Sequence, residues 1–292
     1  MAWRCHGLRW SDAGGELVWR DGARERRSPL TYGRELGFRA LGERLCAGVR
    51  GQECPLGARV GGRGTGGQCA DCARLDRSRS VAADTVADDP QPYTVYLAWF
   101  GPGMVKVGIT AEARGAARLL EQGAVVFTRL GRGPLMAARR TEELLRTALG
   151  VPDRVPYAAK RAVRATLPAD RAERSSEVRE LYGRAVALSG WPESLERAEL
   201  RPVDHVDVFG LAGTPPVTGV IDELVDGGRV AGRLVAAAGP DLHLECGDDG
   251  AVLVLDTRLL RGWGLTAAAD EGVTVPVREV AAAEHVVQDG LF

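Results

Sequence analysis

The chain has 292 residues, of which 45% are hydrophobic and 26% are charged, so it can bury two or three cores and is not a disordered protein. No window approaches the roughly 18 uninterrupted apolar residues of a membrane span, and the first residues lack the apolar core of a secretory signal. We therefore expect a cytoplasmic protein without a membrane partner.

The net charge of −1 hides an uneven distribution of charge along the chain. Residues 1–170 hold 27 basic and 18 acidic residues, whereas residues 203–292 hold 5 arginines and 15 acidic residues. The basic part indicates a surface for phosphates, while attraction between the two parts explains the pattern equally well. Only two of the 38 basic residues are lysines, Lys106 and Lys160. Such a bias is typical of a GC-rich genome, so arginine abundance alone does not indicate nucleic-acid binding.

The first 80 residues predict an N-terminal β segment followed by a cysteine region. Glu16–Arg20 alternates between apolar and polar residues, and Asp21-Gly22 is typical of a hairpin turn. Residues 46–80 are rich in glycine and hold four of the six cysteines. Residues 81–92 are polar, contain proline and show no periodicity, which is typical of a linker.

Four cysteines with the spacing C-x7-C-x14-C-x2-C form the strongest motif: Cys46, Cys54, Cys69 and Cys72. Four thiolates suit the tetrahedral coordination of structural Zn²⁺, and this region has too few large apolar residues to fold without a staple. The first spacing, seven residues, is wider than the usual two to four. A redox pair at Cys69 and Cys72, or four unligated thiols, are the alternatives. We expect one zinc ion, which predicts sulfur atoms about 3.5–4 Å apart.

The middle of the chain alternates between strand-like and helix-like patterns. The predicted strands are Tyr93–Trp99, Met104–Thr110 and Ala124–Leu130. The predicted helices are 112–122, Leu135–Leu149, a helix from Pro156 to about Leu167, and Ser175–Leu188. Gly123 is placed to end the first of these helices. These patterns predict an α/β unit.

Alternation along the first two of these strands places polar side chains on one sheet face. Tyr96, Lys106 and Thr110 fall opposite the valine and isoleucine side chains, which hydrophobic burial turns inward. Gly108 lies on the same face and leaves room for an approaching group. The face is therefore a candidate binding surface, although a tyrosine on a strand is also an ordinary packing residue.

The two following helices carry further polar candidates. Arg114, Arg118 and Gln122 recur every four residues and so share one helix stripe. Glu142 falls on the apolar stripe of the next helix, where a carboxylate must be paired, protonated or metal-bound. Together with Tyr96 these side chains are typical of a phosphodiester site. The alternatives are a solvated arginine stripe and a glutamate that pairs with a nearby arginine.

The last ninety residues return to a β pattern. The predicted strands are Val217–Val225, Arg229–Ala236, Leu242–Cys246 and Ala251–Asp256. Asp-Gly, Gly-Pro and Asp-Asp-Gly turns separate them. Short strands at this spacing predict a small antiparallel barrel or sandwich.

Residues 93–124 contain the runs VYLA and VKVGIT, followed by Arg118 and the run EQGA. They resemble the domain of unknown function 2797 family of uncharacterised prokaryotic proteins. That family looks like a divergent branch of the GIY-YIG endonuclease fold, preceded by a cysteine-containing segment. The run VAGRL at residues 230–234, with Gly239 and Leu242, also resembles the tail of the family. The resemblance covers most of the chain.

The resemblance implies roles for four residues. Tyr96 matches the tyrosine that ends the first nuclease motif, and Lys106-Val107-Gly108 matches the second motif. Arg118 matches the helix arginine that steadies phosphate charge, and Glu142 matches the glutamate that holds one Mg²⁺ ion. The chain departs from the pattern with Thr-Val-Tyr in the first motif, a lysine in place of the second tyrosine, and no asparagine anywhere.

The fold class that follows is α+β. We expect an N-terminal β segment with a zinc-staple region over residues 1–80 and a linker over 81–92. A GIY-YIG-like α/β sandwich with a helical extension covers 93–202, and a small, acidic, antiparallel β module covers 203–292.

Three functions fit these patterns. The first is a nucleic-acid-binding protein on a degenerate GIY-YIG-like fold with a structural zinc site, the nucleic acid being DNA or RNA. The second is a Mg²⁺-dependent phosphodiesterase or endonuclease that uses Tyr96, Lys106, Arg118 and Glu142. The third is a protein-interaction or small-ligand module. Lysine binds phosphate as a point charge but holds its proton at neutral pH, which favours the first.

Overall fold

The computed structural model describes residues 3–22, 24–49, 51–78, 89–247, 250–268 and 272–280. Residues 81–88 of the predicted linker lie outside these ranges, and the division of the chain into domains stays a prediction. Among the described residues, no helix is both long and apolar enough to cross a membrane.

The N-terminal segment forms strands, as predicted. They are β1 (Arg4–Ser11), β2 (Gly14–Asp21), β3 (Arg24–Pro29) and β4 (Glu35–Leu41). The first three pair in sequence as an antiparallel meander. Gly22 follows β2 with φ of 59°, a left-handed conformation that favours glycine, and this confirms the predicted turn.

The central region contains helices and short strands. In chain order the elements are α1 (Ala70–Ser78), β5 (Tyr93–Gly101), β6 (Met104–Ala111), α2 (Ala117–Gln122), β7 (Val126–Gly133), α3 (Leu135–Leu149), α4 (Tyr157–Arg164), α5 (Arg171–Val186), β8 (Glu196–Arg197), β9 (Val203–Asp204) and α6 (Val206–Phe209). Helix α3 has the predicted bounds, and Gly123 ends α2 in the left-handed conformation, as predicted.

The single helix predicted over 112–122 is wrong in one respect. The chain forms a 3-10 turn at Glu112–Arg114, and α2 begins only at Ala117. Gly115 lies between them with φ of 50°, which interrupts the α-helical hydrogen-bond pattern. Arg114 therefore lies outside the helix that carries Arg118.

The C-terminal region adds the strands β10 (Val217–Ile221), β11 (Arg229–Ala238), β12 (Asp241–Cys246), β13 (Ala251–Asp256), β14 (Gly264–Ala267) and β15 (Val277–Glu279). They join the N-terminal strands in one ten-stranded sheet, in the order β15-β10-β13-β12-β11-β4-β14-β1-β2-β3. The N-terminal and C-terminal β segments, which the sequence predicts as separate units, thus share one sheet, because β4 lies between β11 and β14. The C-terminal part is also not purely antiparallel, since β10 pairs parallel with β13.

The second sheet has the order β6-β5-β7-β8, and β9 also pairs with β7. Helices α3 and α5 cover the face that bears Val95, Leu97 and Trp99, as the predicted inward face requires. The opposite face bears Tyr96 and is not open, because α2 packs on it through Leu119. Two sheets together with helices confirm the α+β class.

Helices α2 and α4 lie at the junction of the two sheets. Leu119 of α2 packs in the cluster around Tyr96, whereas the next residue, Leu120, packs in the core of the ten-stranded sheet. On α4, Arg161 and Arg164 form buried ion pairs with Asp241 of β12, at 2.5 and 2.9 Å. This junction fixes the position of the residues described next.

Candidate functional site

Tyr96 lies at the centre of the α2-covered sheet face. It pairs with Gly108 across β5 and β6, and a Cβ atom on that glycine would lie 2.5 Å from the tyrosine hydroxyl. The glycine therefore makes room for the Tyr96 ring and not, as the strand pattern predicts, for an approaching ligand. The hydroxyl accepts a hydrogen bond of 2.9 Å from Gln122 Nε2. Burial raises the pKa of Tyr96, so its hydroxyl keeps its proton at neutral pH.

Lys106 lies on the same face, next to Tyr96. Its Nζ atom is 5.9 Å from the centre of the Tyr96 ring and donates a hydrogen bond of 3.1 Å to the backbone oxygen of Asp153. The side chain is buried, and burial together with repulsion from Arg118 lowers the pKa of Lys106 to about 8. Among the described residues it has no ion-pair partner.

Lys160 is the residue that the sequence patterns missed. Its Nζ atom donates to the backbone oxygen of Gln122 at 3.0 Å and lies 3.9 Å from the centre of the Phe100 ring. It is 3% exposed and, within the described ranges, has no carboxylate partner. Burial, with repulsion from Lys106, lowers the pKa of Lys160 to about 7. Its one signal in the sequence is compositional, since only two basic residues are lysines.

Arg118 is the half-exposed member of this group. It lies on α2, one turn before Gln122. Its positive charge lowers the pKa values of Tyr96, Lys106 and Lys160. Its contact with Glu121 is long, at 3.7 Å. Lys106, Arg118 and Lys160 together are called the cationic site below.

The other predicted binding residues have different roles. Arg114 donates from Nη2 to both carboxylate oxygens of Glu121, at 2.7 and 2.6 Å, so its charge is largely compensated. Gln122 is buried and orients the Tyr96 hydroxyl. Thr110 lies with Tyr96 in the wall of a cavity of about 280 Å³. Arg114, Arg118 and Gln122 do not form the single helix stripe that their spacing predicted, because Arg114 lies outside α2.

Glu142 reaches the site from α3, which packs on β6. It is half-buried, and within the described part of the chain no hydrogen bond or ion pair engages its carboxylate. Burial and repulsion from Asp153 raise the pKa of Glu142, while Lys106 opposes this shift. The charge of the Glu142 carboxylate also raises the pKa of Tyr96. Glu142 thus shares the electrostatic environment of Tyr96 and Lys106, and its carboxylate could hold a cation.

The four predicted zinc ligands converge in the N-terminal region. The sulfur atoms of Cys46, Cys54, Cys69 and Cys72 all lie within 4.8 Å of one another, and this group is called the cysteine cluster. The Cys54 and Cys69 sulfurs are 4.0 Å apart, close to the separation across a tetrahedral zinc site with bonds of about 2.3 Å. Backbone N–H groups of Gly48 and Cys69 donate to the Cys46 sulfur. The donor set and its compactness fit a structural metal ion.

The comparisons with known proteins place the chain in one family. A family model described as a protein of unknown function (DUF2797) matches residues 33–265, which is well over half of the chain. The matched range includes the cysteine cluster and the cationic site. No curated protein and no solved structure matches the chain.

Proposed function

Because the chain belongs to the domain of unknown function 2797 family, whose description assigns no activity, we propose a function from the site: the protein binds nucleic acid through its phosphates. The supporting observation is the charge of the cationic site. Lys106 and Lys160 are both buried, and neither has an ion-pair partner among the described residues. Arg118, half-exposed, adds a third positive charge.

Buried positive charge without a counter-ion is unfavourable, and here the cost is visible as lowered pKa values of both lysines. A phosphate next to Arg118 would supply the missing negative charge and raise both pKa values. Binding of an anion would therefore be accompanied by proton uptake near pH 7 to 8, and would weaken as the pH rises through this range.

The arrangement of elements supports a GIY-YIG-like core as part of this proposal. The β5–β6 hairpin carries Tyr96 and Lys106, α2 carries Arg118, and α3 after β7 carries Glu142. This is the order in which the resemblance assigns the tyrosine, the second motif, the arginine and the glutamate. We also propose that the cysteine cluster holds Zn²⁺, because four sulfur donors favour this ion. Four free thiols suit a reducing cytoplasm.

A second candidate, a Mg²⁺-dependent phosphodiesterase, is favoured by one observation. The Glu142 carboxylate is half-buried and lacks a partner among the described residues, as a metal ligand would. Two observations weigh against cleavage by a tyrosine-assisted water. Tyr96 is 2% exposed, and the raised pKa of its hydroxyl keeps it protonated, so it is not a base at neutral pH. Binding without cleavage is therefore the first proposal.

Fluorescence anisotropy with labelled duplex DNA and RNA, over about 50 to 300 mM salt, tests the proposal. Binding should weaken with salt, and Arg118→Ala should make the slope of log K against log salt shallower by about one unit. Arg146→Ala is the matched control, since this α3 arginine is exposed and bound to Glu143. Absence of salt-dependent binding, or an equal effect of both substitutions, would favour the protein-interaction or small-ligand alternative.

A further inference from the structure

A cavity of about 280 Å³ opens beside Tyr96, at the opposite end of the face from Lys106. Its walls come from neighbouring positions on three strands. Thr94 of β5 pairs with Thr110 of β6 on one side and with Arg132 of β7 on the other. Tyr96 pairs with Arg129 of β7. The strands therefore form much of the cavity wall, and Glu112, Gly115 and Leu119 also line it.

The Thr110 hydroxyl has no hydrogen-bond partner among the described residues, although the side chain is only 6% exposed. Leaving a buried hydroxyl unpaired costs stability, and such groups in folded proteins are normally satisfied. Thr94 lies opposite in the register, is 8% exposed and lines the same cavity. Because Thr110 lines the cavity, a rotation of its side chain would turn the shielded hydroxyl toward an acceptor bound there.

Arginine side chains line the other wall. Arg129 is exposed and, within the described ranges, has no ion-pair partner. Arg132 binds Glu112 through Nε at 2.9 Å, and Arg197 lies over the Trp191 ring. One further carboxylate, Glu196, also lines the cavity, so positive charge exceeds negative charge by one.

We propose that this cavity is a phosphate-binding subsite in which Thr110 and Arg129 contact the phosphate oxygens. Guanidinium groups and hydroxyls are among the groups that bind phosphate in proteins. A volume of about 280 Å³ suits a phosphate with a few waters and is small for a whole nucleotide. One source of the phosphate is a nucleic-acid strand held by the cationic site, and this source rests on the proposed function. The other source is a free phosphate ion, which has the same chemistry.

The experiment measures binding of inorganic phosphate by isothermal titration calorimetry, and binding of duplex DNA by anisotropy, to the full chain. Thr110→Val keeps the shape of the side chain but removes the hydroxyl, and Arg129→Ala removes the charge. Each should weaken phosphate binding at least about tenfold, as loss of a hydrogen bond to a charged group requires. Thr147→Val and Arg201→Ala, at exposed positions outside the cavity, are the controls and should leave phosphate binding unchanged.

The melting temperature separates a binding role from a structural role. Because the Thr110 hydroxyl is unpaired without phosphate, Thr110→Val should melt at or above the temperature of the parent protein in phosphate-free buffer. Phosphate should then raise the melting temperature of the parent more than that of the variant. Equal phosphate affinity of Thr110→Val, Arg129→Ala and the parent, or no phosphate binding at all, overturns the subsite.

The outcomes also distinguish the subsite from the proposed function. Salt-dependent DNA binding that depends on Arg118, with no phosphate bound in the cavity, would overturn the subsite and leave the proposed function in place. Phosphate binding that depends on Thr110 and Arg129, with no nucleic acid bound, would support the subsite as a site for free phosphate and overturn the proposed function.

Discussion

The substitution Lys160→Met tests whether the cationic site holds positive charge that the protein does not compensate. Methionine keeps an unbranched apolar stem of similar length and lacks the charge. Lys160 is 3% exposed, and among the described residues its ammonium has one polar contact, the backbone oxygen of Gln122. The substitution therefore removes the unfavourable burial of a charge, one hydrogen bond and the contacts of the ammonium with the Phe100 and Tyr157 rings.

The size of the effect follows from the difference in pKa between the folded and unfolded chains. In the folded protein the pKa of Lys160 is lowered from 10.5 to about 7, so between these values the unfolded chain holds more protons. The free energy of unfolding then rises with pH, by up to about 1.4 kcal/mol per pH unit. The destabilisation is fully present below pH 7 and is relieved as the pH rises above it. Between pH 6 and 9 the relief amounts to about 2–3 kcal/mol.

Urea denaturation of the parent protein and Lys160→Met at pH 6, 7.5 and 9, followed by tryptophan fluorescence, measures this effect. Any loss of packing or of the hydrogen bond is the same at each pH, so only the change in the stability difference with pH reports on the charge. Relative to the parent, the variant should be most stable at pH 6 and should lose about 2–3 kcal/mol by pH 9. A stability difference that stays constant across the three pH values would refute the reasoning.

Three further predictions concern other parts of the molecule. Elemental analysis of the purified protein should give about one zinc per chain, and replacing Cys54 with serine should abolish stoichiometric zinc; a metal-free protein with an unchanged melting temperature would contradict the zinc assignment. Gly108→Ala should lower the free energy of unfolding by about 1–3 kcal/mol, because the new Cβ meets the rigid Tyr96 ring. Gly183→Ala is the control: it lies in α5 with no atom near the new methyl group, so it should leave the free energy of unfolding unchanged or slightly raised. If the protein nicks DNA with Mg²⁺, Glu142→Gln should abolish nicking and leave DNA binding nearly intact; equal loss of both would show that the carboxylate has no role as a metal ligand.

Periodicity predicted the strands and helices whose two faces lie in different surroundings. Strands β5 and β6 alternate between two differently covered faces, and the apolar stripe of α3 gave its bounds. The split of the predicted helix at Gly115 was missed because the surrounding residues keep helical spacing. A single left-handed glycine interrupts the helix there without changing the pattern of apolar residues.

The ten-stranded sheet could not be predicted from local patterns. Strand β4 lies between β11 and β14, which begin 188 and 223 residues after β4 ends in the sequence. Alternation within a strand indicates which side chains turn inward, but it does not identify the partner strand. The N-terminal and C-terminal segments therefore looked like separate units.

The site was predictable where geometry follows from strand pairing and was missed where it depends on packing between elements. The pairing of β5 and β6 brings Tyr96, Lys106 and Thr110 to one face, as their alternation indicated. Lys160 reaches this face only because α4 docks at the junction of the two sheets. No spacing in the sequence connects Lys160 with Gln122 or Phe100.

The basic residues that the structure describes fall into two groups, those with an acidic partner and those without one. Arg161 and Arg164 of the basic part form ion pairs with Asp241 of the acidic part, so these cations hold the two sheets together. Lys106 and Arg129 have no ion-pair partner among the described residues. Attraction between the two parts of the chain therefore explains the first group but leaves the second unexplained. The second group lies along the Tyr96 face of the smaller sheet, and its uncompensated charge is the reason why we propose phosphate binding at that face.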